Sequence, residues 1–126
     1  MNKKKILIVD DDTSITLSIS FVLEKEGYTA IIAVDGEEAL KKAKEELPHL
    51  IVLDIMLPKI NGFEVCKRLK ANVQTREIRI IMLTAKGDEK DKRLAEELGV
   101  NGYITKPFDI DTLLSEIRKG VANGEK

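Results

Sequence analysis

One cysteine in 126 residues, Cys66, leaves nothing from which to build an intrachain disulfide framework. No stretch is apolar and long enough to span a bilayer, and no signal-peptide pattern follows the polar start Met1-Asn2-Lys3-Lys4-Lys5. These absences set the expectation of a reducing, cytoplasmic compartment and no membrane partner. Neither sign of charge is in excess: 21 basic and 22 acidic residues leave a net charge of −1, so nucleic acid and anionic membrane are not expected as direct partners. Any electrostatics that matter must therefore be local. Internal repeats, low-complexity segments and linkers are missing too. The length suits a single domain over residues 1–126, with a core from about 4 to 121 and a tail over 122–126, the chain fraying from about Gly120 onward.

What is present is a series of short apolar runs without polar alternation. Ile6-Leu7-Ile8-Val9 breaks off at Asp10-Asp11-Asp12, Leu50-Ile51-Val52-Leu53 ends at Asp54, and Ile78 to Leu83 ends at Thr84. Runs of this kind read as strands buried on both faces, as in a parallel sheet covered by helices. Thr29–Ala33 and Gly102-Tyr103-Ile104 complete five strand candidates. Between them lie helical stripes. Ile15, Ile19, Val22 and Leu23 form one, opened by Asp12 or Thr13 and stopped by Gly27. Ala39, Leu40, Ala43 and Leu47 form the next, from about Gly36 to the residue before Pro48. Val65, Cys66 and Leu69 follow Gly62, and Leu94, Ala95 and Leu98 lie on a highly charged helix from about Asp88 to its stop at Gly99. Leu113, Leu114, Ile117 and Val121 form the last, capped by Asp109 or Asp111. Five strands alternating with five helices predict an α/β, flavodoxin-like, doubly wound parallel sheet in the order 2-1-3-4-5.

In such a sheet the ligand site lies outside the carboxyl ends of the strands, where the strand order reverses. That edge receives Asp10 and Asp11 from strand 1, Asp54 from strand 3, Thr84 from strand 4 and Lys106 after strand 5. Three carboxylates brought together repel one another, and a hard divalent cation bound through oxygen relieves this; Mg²⁺ is the expected ion and Mn²⁺ a possible one. Asp10, Asp11 and Asp54 would hold it, with the main-chain carbonyl near Met56. A cation, an ammonium and a hydroxyl around one carboxylate suit a phosphoryl group, so Asp54 is the expected nucleophile, with Lys106 and Thr84 contacting the transferred group.

Ile8-Val9-Asp10-Asp11-Asp12, Leu53-Asp54-Ile55-Met56-Leu57-Pro58 with Gly62, Leu83-Thr84-Ala85 and Lys106-Pro107-Phe108 resemble, in order and spacing, the receiver domain of two-component response regulators. The resemblance runs from about Lys4 to Val121 and is nearest to single-domain, chemotaxis-type receivers. It implies a phosphoacceptor signalling protein that catalyses only its own phosphorylation and dephosphorylation. A histidine kinase or phosphotransfer protein would supply the phosphoryl group, and phosphorylation would shift an existing conformational equilibrium. It further implies that Thr84 and Tyr103 are the switch pair, that helix 4, strand 5 and helix 5 face a downstream protein, and that the Lys106-Pro107 peptide is cis. Met56 and Lys86 fall where the family tunes the lifetime of the phosphate. The chain is expected to be a monomer or weak dimer. Many transcription-factor receivers have Asp-Asp-Tyr where this chain has Asn101-Gly102-Tyr103, and no DNA-binding segment follows, which points away from a dimerising transcription factor.

Two other chemistries are weaker fits. Asp10 and Asp12 have the spacing of haloacid dehalogenase phosphatases, but Ser14 stands where those have Thr or Val, and Asp54 would be unexplained. A flavodoxin-like cofactor carrier needs a Ser/Thr/Gly loop after strand 1, which is absent. Asp12 alone reads as a helix cap, Cys66 as a small core residue, and His49 as surface filler at the far end of strand 3.

Overall fold

The computed structural model describes residues 3–85 and 89–123. Its elements are β1 (Lys5–Val9), α1 (Thr13–Lys25), β2 (Thr29–Ala33), α2 (Gly36–Glu46), β3 (Leu50–Asp54), α3 (Gly62–Ala71), β4 (Arg79–Ala85), α4 (Glu89–Glu97), β5 (Gly102–Lys106) and α5 (Ile110–Asn123). The strands form one parallel sheet in the order β2-β1-β3-β4-β5.

Although the central strands are apolar throughout, successive residues point to opposite faces and build two separate cores. Leu7, Val9, Ile51, Leu53, Ile80 and Met82 meet α2, α3 and α4 on one face. Ile6, Ile8, Leu50, Val52, Ile81 and Leu83 meet α1 and α5 on the other. Each fully buried Ile, Leu or Val contributes about 1.5–3 kcal/mol, which is why β3, buried at every position, holds the middle of the sheet.

Helix starts are set by side chains that accept from otherwise unpaired N–H groups. Asp12 accepts from Ser14 and Ile15, Asp35 from Glu38, Asn61 from Glu64, and Asp109 from Thr112. Gly27 and Gly99 follow α1 and α4 with φ of +93° and +80°, the left-handed turn that ends a helix cleanly at glycine.

The structure corrects the sequence reading in several places. Leu47 does not face inward: it caps α2 in the left-handed region (φ 45°) and is 52% exposed. The helix must reverse before Pro48, and the reversal turns Leu47 off the inward stripe. The chain does not fray at Gly120, because α5 continues to Asn123 and Gly120 is buried against Leu50. β4 runs on through Thr84 to Ala85, and β5 through Thr105 to Lys106, since each continues to pair with its neighbour. The expected helix start at Asp88, the lifetime position Lys86 and the last three residues of the expected tail lie outside the described residues.

Candidate functional site

Four strands deliver residues at or just beyond their carboxyl ends to one edge. β1 ends at Val9 and hands over Asp10, whose side chain is held by the Asp12 N–H donating to Oδ1 at 2.9 Å. β3 carries Asp54 as its final residue, with the Met56 N–H donating to Oδ1 at 3.2 Å. The loop after Asp54 turns back tightly: a Cβ on Gly62 would collide with the Asp54 carbonyl, so only glycine lets α3 start there. β5 ends at Lys106, and the following peptide bond to Pro107 is cis.

Asp10 and Asp54 are 1% and 4% exposed. Both lean on one ammonium: Lys106 Nζ donates to Asp10 Oδ2 and Asp54 Oδ2, each at 2.9 Å. Asp11 is exposed at the rim, and one oxygen from each of Asp10, Asp11 and Asp54 lies within 4.8 Å of the others. Among the described residues one cation, Lys106, thus faces three carboxylates, two of them cut off from water. Burial pushes the Asp54 carboxyl above its ordinary range; the Lys106 ammonium opposes that, and Asp10 adds to it. Burial would lower the Lys106 ammonium, but the two carboxylates bonded to it outweigh that and raise it. A donor set of three clustered carboxylates fits a hard divalent cation bound through oxygen.

Thr84 is 2% exposed, on the strand next to Asp54, in register with Thr105 one residue before Lys106. Its hydroxyl accepts from the Tyr103 hydroxyl at 3.3 Å and donates to the Ala85 carbonyl at 3.4 Å. Tyr103 is half-buried and packs against the core that the sheet shares with α2, α3 and α4. Met56 is 74% exposed and lines, with Phe108 and Ile110, a groove of about 630 Å³ between α1 and the turn after β5.

Asp12 lies beside the carboxylates in sequence but its side chain turns to the start of α1, so it is bonded as a cap and not offered to a phosphatase mechanism. Cys66 is fully buried, and burial pushes its thiol up. His49 is exposed, and its Nδ1 accepts from the Lys5 N–H at 3.0 Å. Two features went unseen in the sequence. Asp91 of α4 lines the same acidic cleft as Asp10, Asp11 and Asp12, and nothing in the dense charge pattern of that helix singles it out. Leu17 and Phe21 are 63% and 61% exposed on α1; as an i, i+4 apolar pair off the buried stripe, they had a visible signal.

A family model described as the response regulator receiver domain matches residues 6–118. The chain is 57% identical over 105 residues to the alkaline phosphatase synthesis transcriptional regulatory protein PhoP of Bacillus subtilis (strain 168), an overlap covering 83% of this chain and 43% of that protein. It is 44% identical over 114 residues to the DNA-binding dual master transcriptional regulator RpaA of Synechocystis, covering 90% of this chain and 47% of that one. The chain spans about half the length of these curated relatives. Both carry the names of transcriptional regulators, which the Asn101-Gly102 departure did not lead one to expect. Among solved structures, a CheY-like receiver domain protein from Methanospirillum hungatei superposes with a TM-score of 0.91 at 33% identity, covering 98% of each chain. The chemotaxis response regulator CheY4 of Vibrio cholerae gives 0.88 at 34% identity, covering 94% of this chain and 99% of that one.

Proposed function

Because the chain belongs to the response regulator receiver domain family, we propose that it is a phosphoacceptor switch in which Asp54 takes a phosphoryl group from the phosphohistidine of a sensor kinase or phosphotransfer protein. The observation that carries this reading is the Lys106 ammonium held at 2.9 Å from both Asp10 and Asp54 inside a cluster of three carboxylates. An Asp54 oxygen attacks phosphorus, the phosphorus–nitrogen bond to the donor imidazole breaks, and its electron pair stays on the imidazole, which leaves neutral because its other ring nitrogen carries a proton. Asp54 needs no general base, since an ionised carboxylate is already a nucleophile. Asp10, Asp11, Asp54 and the Met56 main-chain carbonyl are the groups that would hold Mg²⁺, or Mn²⁺ in its place. Such an ion supplies positive charge to phosphoryl oxygens. Lys106 exchanges a carboxylate partner for a phosphoryl oxygen, keeping its ammonium compensated throughout.

Thr84 and Tyr103 would report the change. A Thr84 hydroxyl that turns to donate to a phosphoryl oxygen alters the bond it accepts from Tyr103, and so frees the ring to settle deeper beneath α4. The readout surface would then be α4, β5 and α5, facing a downstream protein. Met56, exposed at the mouth of the groove, stands where it would govern the approach of water to an aspartyl phosphate, with Lys86 as its counterpart. The described residues contain no helix long and apolar enough to cross a membrane; a cytoplasmic location is proposed from the membership of the receiver family. We place the chain as a monomer or weak dimer that does not itself contact nucleic acid; any action on DNA would come through a further segment, as the names of the longer relatives suggest.

Intact-mass spectrometry after incubation with acetyl phosphate and Mg²⁺ tests the reading. One phosphoryl adduct is expected, absent from Asp54→Asn and from a chelated sample. An adduct that persists in Asp54→Asn, or that forms equally well under chelation, would overturn it.

A further inference from the structure

β2 is one edge of the sheet, paired with β1 on one side only. Its Thr29 N–H donates to Lys4 O, and its Ala33 O accepts from the Asp10 N–H, so residues 29, 31 and 33 turn their backbone toward β1. Residues 30, 32 and 34 therefore turn theirs outward. A row of outward N–H and C=O groups is a template on which another strand adds. The segment Thr29-Ala30-Ile31-Ile32-Ala33-Val34 is uncharged, rich in β-branched residues and free of proline and glycine, the composition that pairs most readily with itself.

This edge is covered by three charged side chains reaching over it from both flanking helices. Glu24 of α1 accepts from the Ala30 N–H at 2.9 Å, Lys42 of α2 donates to the Ile32 carbonyl, and Glu38 of α2 accepts from the Val34 N–H at 2.7 Å. Each charge matches the polarity of the group it covers: carboxylates on donors, an ammonium on the acceptor. Glu38 and Lys42 also face each other at 3.7 Å across one helical turn, so each holds the other in place. An ordinary capping box would send Glu38 back to the N–H of Asp35, the residue that opens α2. Here it reaches one residue further, to the outer edge of the sheet.

We infer that Glu24, Glu38 and Lys42 together guard the outer edge of β2 against antiparallel pairing with the same edge of a second copy of this chain. A second copy is the occupant that fits best. The outward positions 30, 32 and 34 are spaced by two residues about Ile32, so a two-fold axis through that residue sets each outward group of one copy against its counterpart in the other. An incoming strand must first displace three charge-assisted hydrogen bonds, which keeps the chain monomeric through this edge.

The test is the variant Glu24→Ala/Glu38→Ala/Lys42→Ala, followed by sedimentation over a range of concentrations and by amide exchange at Ile32. Its mass should double as concentration rises, with the Ile32 amide slowing in step. Two controls separate capping from bulk charge. Lys67→Ala/Glu77→Ala/Glu97→Ala makes the same change in net charge at exposed sites on α3, before β4 and on α4, away from the edge, and should stay monomeric. Glu24→Gln/Glu38→Gln keeps both acceptors and should stay monomeric too. If the triple variant does not fold, Glu24→Ala/Lys42→Ala, which leaves the start of α2 intact, carries the same expectation. A folded uncapped variant that remains monomeric at every concentration would overturn the inference, as would association of either control to the same extent.

Discussion

Asp54→Asn should make the protein more stable when no divalent cation is present. Asp54 is 4% exposed and shares Lys106 with Asp10, while Asp11 closes the cluster within 4.8 Å. At an effective dielectric of about 20, a pair of unit charges 3–5 Å apart is worth about 3–6 kcal/mol. Asp54 gains one such attraction, to Lys106, and suffers two such repulsions, from Asp10 and the more distant, solvated Asp11, so its pairwise terms nearly cancel. What remains is the cost of burying a carboxylate, the largest influence on its raised pKa. Asparagine removes that charge, keeps an acceptor for the Met56 N–H, and leaves Lys106 paired with Asp10. With the burial of the charge costing about 2–3 kcal/mol and the weakened Met56 bond about 1 kcal/mol, the net gain is about 1–2 kcal/mol, or roughly 3–8 °C in Tm for a domain of this size. Differential scanning calorimetry in chelator reads it directly. Mg²⁺ at 100 times its Kd should then stabilise the wild type by about 2.7 kcal/mol and the variant by less, narrowing or reversing the order. If Asp54→Asn melts below the wild type in chelator, the Lys106 bridge outweighs the burial and the electrostatic reasoning fails.

Three further outcomes are expected. Tyr103→Phe removes the hydroxyl that donates to Thr84 at 3.3 Å and should lower unfolding free energy by about 1 kcal/mol in urea titration, with the fold intact; no change would mean that the bond contributes nothing in the unphosphorylated state. Asp12→Ala should lower stability by about 0.5–2 kcal/mol through the lost helix cap yet leave Mg²⁺ affinity within a small factor by isothermal titration; a large loss of affinity would make Asp12 a ligand and not a cap. Cys66 should react slowly with a thiol reagent in the folded protein at neutral pH, its thiol raised by burial. The sign follows from linkage: above the unfolded thiol pKa of about 8.5 the unfolded chain loses its proton first, so stability is full below that pH and falls as pH climbs toward the folded value. A Cys66→Ser variant, lacking this titration, should be flatter than the wild type between pH 8 and 10, allowing for the packing it loses.

The central features of the fold were legible because they depend on near neighbours. An apolar run too uniform for a half-exposed strand marks itself as buried on both faces, and β1, β3 and β4 lie where such runs lie. Right-handed crossovers left few strand orders, and 2-1-3-4-5 is the one such a sheet most often takes. Asp10 and Asp54 were legible for the same reason: a carboxylate at the end of a buried strand has one edge of the sheet to go to. Leu47 was misjudged because its stripe position assumed an unbroken helix, while Pro48 forced the reversal one residue earlier. Gly120 was misjudged because a small residue late in the chain resembles a tail until Leu50, seventy positions earlier, is seen against it.

By itself the sequence determined the alternation of strands and helices, the burial of β3, the choice of cap down to Asp12 or Thr13 for α1 and Asp109 or Asp111 for α5, and the delivery of three carboxylates, a threonine and a lysine to one edge. Periodicity, caps and turn residues act over a few positions and can be read there. Only the tertiary structure decided that Lys106 is shared equally between Asp10 and Asp54, that Tyr103 bonds Thr84, that Asp91 borders the acidic cleft, and that Glu24, Glu38 and Lys42 close the edge of β2. Each of these is a contact between side chains or backbone brought together by the packing of separate elements, and the choice among many chemically equivalent charges is made by distance, which the chain acquires only on folding.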